Sequence, residues 1–274
     1  MSAFLLDNAP TVRLAVFSGV LLAMALWEAL APRREQLHGR LARWPNNLGV
    51  VVFDSIAVRL LIPTTLAGFA AYVSARGWGV FNLFAVPAWL AFPASILLLD
   101  LAIYAQHVAF HAVPVFWRLH RMHHSDLEFD VTTGIRFHPI EILLSVLIKM
   151  AVILGLGAPA VAVLLFEIIL NATSMFNHSN VAVPGWLDAG LRRCIVTPDM
   201  HRVHHSVVRA ETDSNFGFNL SLWDRVFGTY RAEPAAGQLG MTIGIPAFRE
   251  PAELRLDRML TQPFRDGAAK ILDR

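Results

Sequence analysis

The sequence predicts an all-α fold: an integral-membrane helical bundle of about four to five spanning helices, the last two paired as a hairpin, with a histidine-rich helical cap on one side. Three observations predict it. The 274 residues are 55% hydrophobic and 16% charged, against roughly 25% charged in soluble domains. Several apolar runs reach the length of about 20 residues that a helix needs to cross a bilayer. The hexapeptides "HRMHHS" (120–125) and "HRVHHS" (201–206) repeat almost letter for letter, each between or beyond such runs.

The organisation read from these features is one membrane-embedded domain, 1–274. Three spans lie within 11–110, a first histidine-rich cap segment at 111–139, a helical hairpin at 140–177, and a second histidine-rich segment with a C-terminal cover at 178–274. The first span, "TVRLAVFSGVLLAMALWEAL" (11–30), is followed by Ala31, which mimics a signal-peptide cleavage site. Residues 1–10 carry no Lys or Arg and the run is of full spanning length, so a retained span is expected. The second and third spans are placed at 48–74 and 88–110. The runs 140–157 and 158–177 are separated only by Gly155, Gly157 and Pro159, the punctuation of a tight helical hairpin. Beyond it, the polar segment 231–274, punctuated by Pro234, Pro246, Pro251 and Pro263, is expected to cover the cap. "PAELRLDRMLTQPFRD" there reads as one short amphipathic helix with Leu254, Met259 and Leu260 inward.

Orientation follows from the basic residues, because Lys and Arg in short loops stay on the cytoplasmic side. Arg33, Arg34, Arg40 and Arg43 follow the first span, Arg118, Arg121 and Arg136 the third, and many more lie beyond 179, whereas the alternate loops hold only Arg76. An outside N-terminus with the cap and C-terminus in the cytoplasm is expected, in the plasma (inner) membrane if the source is bacterial. The same bias accounts for the pI near 9.0 without nucleic acid, since no aromatic-interleaved basic stripe accompanies it.

Ten of the eleven histidines fall on that one face: His107, His111, His120, His123, His124, His138, His178, His201, His204 and His205. Positions i, i+3 and i+4 share a helix stripe, so each HxxHH box can aim its rings at one point. Ten co-facial imidazoles exceed what one ion can coordinate and suggest two, with Zn, Fe, Cu or Ni all compatible with imidazole. The single cysteine, Cys194, excludes an internal disulfide and a Cys-ligated cluster built from this chain alone. His38 stands outside every box in a basic loop, where a lone Glu-x-x-His pair with Glu35 carries no metal signal.

Together "HVAFH" (107–111), "HRMHHS", "RFHPIE" (136–141), "FNHSN" (176–180), "TPDMHRVHHS" (197–206) and "NLSLWDRVFGTY" (219–230) resemble the fatty acid hydroxylase / sterol desaturase superfamily, from about Asp100 to Tyr230. The resemblance implies a non-haem di-iron oxygenase of the membrane, with two Fe ions as cofactor and O2 as co-substrate. The implied metal ligands are His107, His111, His120, His123, His124, His201, His204 and His205, with His138 and His178 as additional site histidines. No catalytic residue is implied beyond the metal centre, and the division between two irons stays open. Ligating histidines give their second ring N–H to a carboxylate or carbonyl. Asp100, on the stripe of His107 and His111, is the leading candidate for that partner, and Glu141, Asp199 and Asp224 are others.

The implied reaction is O2-dependent oxidation of a C–H bond in a membrane lipid, most simply hydroxylation of a lipid, sterol or fatty-acyl substrate. Desaturation or ether cleavage would use the same start. With no cysteine cluster, dinucleotide fingerprint or fused haem segment in the chain, a separate ferredoxin-like or cytochrome-like electron donor is implied. A membrane zinc hydrolase would call for a His-Glu-x-x-His motif, which is missing. A transporter would string ionisable groups along a path, whereas Asp54, Arg59, Lys149 and Glu167 are isolated in the sequence.

Overall fold

The computed structural model describes residues 2–267, so expectations that fall on 268–274, the C-terminal Arg274 included, lie outside the described residues. Among the described residues all regular structure is helical, and extended pairing is limited to isolated bridges such as Pro32 with Val181. The helices up to the end of the hairpin are preceded by α1 (Ser2–Asp7). They are α2 (Ala9–Leu30), α3 (Arg40–Leu61), α4 (Leu66–Ala75), α5 (Val80–Leu83), α6 (Ala88–Ala112), α7 (Pro114–His124), α8 (Pro139–Leu156) and α9 (Ala160–Asn177). Shorter helices build the rest of the cap: α10 (Gly185–Leu191), α11 (Pro198–His204), α12 (Arg209–Thr212), α13 (Leu222–Val226), α14 (Gly237–Gly240) and α15 (Leu256–Thr261).

Among the described residues five segments are long and apolar enough to cross a membrane, Ala9–Leu30, Arg40–Leu83, Ala88–Ala112, Pro139–Leu156 and Ala160–Asn177, which marks the chain as an integral membrane protein. The second of these differs from the expected run 48–74. It begins inside the cap at Arg40 and is broken between α3 and α4, because Pro63 has no N–H to continue the ladder and holds Ile62 extended (φ −112°). Thr65 restarts the helix by accepting the Gly68 N–H at 3.0 Å. The hairpin expected after residue 139 is present: α8 stops at Gly157, left-handed at φ 71°, and α9 starts after Pro159.

At the centre, α6 packs on α8 and α9, with α4 against the same pair, α2 on α9 and α3 on α8. Leu66, Leu99, Ile103, Val146, Ile153 and Phe166 form the shared core. Lipid removes the hydrophobic drive between spans, so their association rests on close packing, and Ala70 of α4, Ala162 of α9 and Ala158 in the hairpin turn are fully buried. Leu14, Leu22, Leu26, Leu60 and Leu61 instead remain exposed along α2 and α3.

The basic residues after α2 do more than follow a topological rule. Arg43 is fully buried, donating to both oxygens of Asp126 (2.8 and 2.6 Å) and to Asp130 (2.5 Å). Arg136 reaches Asp126 at 3.7 Å from the other side. These two guanidinium groups hold the Asp126 carboxyl far below its ordinary range and lock the loop that follows the first HxxHH box. Glu28, at the end of α2, accepts the N–H groups of Val131 (2.7 Å) and Asn180 (2.8 Å), tying both cap segments to one helix. The C-terminal cover is three short pieces, a turn at Pro251–Leu254, α15 and a turn at Gln262–Phe264, where one amphipathic helix was expected. Leu254 and Met259 do point inward.

Candidate metal centre

Nine of the ten co-facial histidines converge. His107, His111, His120, His124 and His204 form one group and His123, His178, His201 and His205 a second, the candidate ligand atoms within each lying within 4.8 Å of one another. Helical geometry explains the partition. On α7, His120 and His124 are one turn apart and share the first group, while His123, between them, turns to the second. On α11 and its end the pattern is reversed: His201 and His205 serve the second group and His204 the first. α6 adds His107 and His111 to the first, and the end of α9 adds His178 to the second.

Five rings are oriented through Nδ1. His107 donates to the Phe216 carbonyl, His178 to the Ser174 carbonyl and His204 to the Ser214 carbonyl, each at 2.7 Å. His120 meets the Glu141 carboxylate at 2.7 Å and His111 meets Asp213 at 3.4 Å. A carbonyl can only accept, so these contacts fix the neutral tautomer with a lone pair on Nε2. Yet Nε2 of His107 and Nε2 of His120 stand 3.1 Å apart, acceptor facing acceptor, and in the second group Nε2 of His178 and Nε2 of His201 stand equally close, at 3.1 Å. Two nitrogens bound at right angles to one metal, at about 2.1 Å each, would stand about 3.0 Å apart.

Further ring atoms, His204 Nε2 and both nitrogens of His205, are buried with no hydrogen-bond partner. Burial pushes His120 and His178 down to about 3 and holds His123, His124, His201, His204 and His205 well below their ordinary value. Neutral, oriented imidazoles with unsatisfied lone pairs fit a pair of metal ions.

The remaining expected site residues divide. His138 lies outside both groups: it caps α8, with Nδ1 accepting the Ile140 N–H at 3.2 Å and Nε2 donating to the Leu260 carbonyl at 3.1 Å, so neither nitrogen is free. Glu141 does orient a ring. Asp100 does not, accepting instead from Trp223 Nε1 (2.9 Å) and Leu220 N (3.3 Å). Asp199 is held by Arg33 and Arg202, away from every imidazole. Asp224 acts at one remove: it accepts the N–H groups of Phe216 (2.7 Å) and Gly217 (2.9 Å) and so places the carbonyl that His107 uses. Sequence reasoning missed Asp213 and the three carbonyls, and missed Gly134, where a Cβ would collide with the Ser174 carbonyl beneath His178.

A cavity of about 1290 Å³ runs from His107 and His120 into the helical bundle. Phe110, Phe137 and Phe218 line it beside the histidines, and Leu14 and Phe17 of α2 with Val51 and Val58 of α3 belong to the same lining.

A family model described as fatty acid hydroxylase matches residues 92–229. The ornithine lipid hydroxylase OlsE of Rhizobium tropici is 27% identical over 235 residues, which cover 83% of this chain and 70% of that protein. The alkylglycerol monooxygenase of Homo sapiens is 28% identical over 192 residues, 67% of this chain and 40% of the human protein. That of Xenopus tropicalis is 30% identical over 173 residues, 61% of this chain and 35% of its own length. The chain thus spans well under half of these two monooxygenases. No solved structure matches.

Proposed function

The chain belongs to the fatty acid hydroxylase family, and from that premise we propose that it is an O2-dependent, di-iron lipid hydroxylase. The observation that carries this reading is the pair of adjacent buried imidazole groups, five and four, at the end of a lipid-sized cavity. The names of its relatives, an ornithine lipid hydroxylase and alkylglycerol monooxygenases, support a lipid substrate. His107, His111, His120, His124 and His204 would hold one iron and His123, His178, His201 and His205 the other. Bound there, the iron pair would supply the activation of O2 and the removal of hydrogen from an unactivated C–H bond.

The protein's own part is positional. The Phe216, Ser174 and Ser214 carbonyls, Glu141 and Asp213 keep five of the nine imidazoles aimed with Nε2 inward, which strengthens them as ligands. Phe110, Phe137 and Phe218 keep water from the reacting bond, and the cavity walls hold the lipid in register with the metals. The cap faces the cytoplasm in this reading, and a separate ferredoxin-like or cytochrome-like carrier delivers electrons to it.

The test is direct. Protein from iron-replete cells should hold close to two irons per chain. Given a reductant, a lipid extract and isotopically labelled O2, it should place one labelled oxygen in the lipid. Lipid two hydrogens lighter and without label would mean desaturation. Stoichiometric zinc without iron, or product formed anaerobically, would overturn the reading.

A further inference from the structure

The cavity beside the histidines carries more polarity than an alkyl chain needs. α8 presents Glu141, Ser145 and Lys149 to it, four residues apart on one stripe, and α9 presents Glu167, Asn171 and Ser174. Ionisable side chains inside a span are costly and by default signal a functional site with a partner. Four such groups look isolated along the sequence, and in the fold all of them line one space.

Two carboxyl groups there each keep a buried oxygen without a donor. Asp54, on α3, is only 9% exposed, its Oδ1 is buried without a partner, and neither of its oxygens receives a hydrogen bond among the described residues. Glu141, 3% exposed, gives one oxygen to His120 and leaves Oε2 buried and unpartnered. A buried acceptor without a donor is destabilising, and a ligand that brings the donor relieves it. Deeper in the cavity Arg13 is paired with Glu167 at 3.1 Å, whereas Lys149 makes no hydrogen bond or close ion pair among the described residues.

We propose that this cavity takes a lipid whose headgroup carries an ammonium group, that Asp54 receives that group, and that Lys149 is placed for an anionic oxygen of the same headgroup. An ammonium brings three donors and a positive charge to the carboxyl side. A wholly anionic headgroup would set oxygen against oxygen there, and a bare alkyl chain would leave both acceptors unfilled. Asp54 is thus a specificity-determining residue. The proposal rests on the lipid hydroxylase reading and adds to it the class of lipid.

Binding without turnover tests it. Nα-dodecanoyl-lysine and Nα-dodecanoyl-norleucine share an acyl chain and a carboxylate, but only the first ends in an ammonium group. Displacement of a radiolabelled probe from the purified, iron-loaded protein under anaerobic conditions measures both. The lysine lipid should bind about tenfold tighter, the value of a hydrogen bond to a charged partner. Asp54→Asn should erase that preference while leaving iron content and melting midpoint unchanged, and Asp54→Glu should keep most of it. Lys149→Met should weaken both lipids alike through their common carboxylate. Equal affinity of the wild-type protein for the two lipids overturns the proposal, as does a preference that survives Asp54→Asn. Failure of the hydroxylase reading is distinct: the ammonium preference would hold while labelled O2 entered no lipid.

Discussion

Asp224→Ala should damage the metal centre from a residue that touches no imidazole. The Asp224 side chain is fully buried and accepts three hydrogen bonds, from Phe216 N (2.7 Å), Gly217 N (2.9 Å) and Thr229 Oγ1 (2.7 Å). A hydrogen bond to a charged acceptor contributes about 1.5–3 kcal/mol. Burial raises the Asp224 carboxyl above its ordinary value, so part of that gain is already offset and the low end applies. Three bonds at about 1–1.5 kcal/mol each put the loss near 3–4.5 kcal/mol. Once the 216–217 backbone is released, the Phe216 carbonyl no longer fixes the His107 tautomer. Loss of such an outer partner lowers metal affinity about 10–100-fold. Chelator competition on the detergent-purified variant would read that loss, and thermal unfolding by circular dichroism would read the destabilisation. An Asp224→Ala protein with wild-type melting and wild-type metal retention would refute the chain of reasoning from carboxylate to carbonyl to ring.

Other outcomes follow from the same geometry. His205→Ala should remove metal and activity, whereas His38→Ala should leave both nearly unchanged, because His38 contacts Glu128 (3.2 Å) and no member of either histidine group; elemental analysis of the two variants decides. Arg43→Met leaves the buried Asp130 without its guanidinium and Asp126 with Arg136 alone, at 3.7 Å, and should cost about 3–5 kcal/mol, read as the loss of folded protein in a denaturant titration. Metal-free protein should be acid-labile. The His120 and His178 rings fall to about 3 in the fold against 6.5 unfolded, so between those values the unfolded chain binds more protons. Stability is then fully present above about pH 6.5 and should fall by roughly 1.4 kcal/mol per pH unit for each ring as the pH drops toward 3. Melting that is insensitive to pH over that window would contradict the buried neutral state.

Much of the site was legible because helical periodicity is written in side chains. HxxxH announces a shared stripe and the apolar runs announce the spans that carry it, but each HxxHH box, expected to aim its rings at one point, divides them between the two groups, because the middle histidine turns away from the i, i+4 pair. His138 misled because a histidine before a Pro at a helix start looks the same in sequence whether it binds metal or caps the helix, and here the cap occupies both nitrogens. Asp100 shares the His107 stripe, but seven residues of helix are about 10 Å, beyond the reach of a carboxylate. What orients three of the five fixed rings is backbone carbonyl, a group every residue possesses and no sequence pattern marks. Asp54, Lys149 and Glu167 read as strays for a related reason: only the packing of α3, α8 and α9 reveals that they share a cavity. The break at Ile62–Thr65 was hidden by apolar neighbours that made one run of two helices.

The crossing over of the two histidine boxes bears on how the protein matures. Each of α7 and α11 sends rings to both groups, so neither nest can be completed while the other is unformed. Under the proposed occupancy, the first ion to arrive orders both helices and leaves the second nest ready-made, so the second ion binds at a smaller entropic cost. Intermediate, singly loaded molecules would then be scarce at every stage of a titration, and a cell short of iron would hold a mixture of empty and complete enzyme rather than a population of half-built centres able to leak partly reduced oxygen.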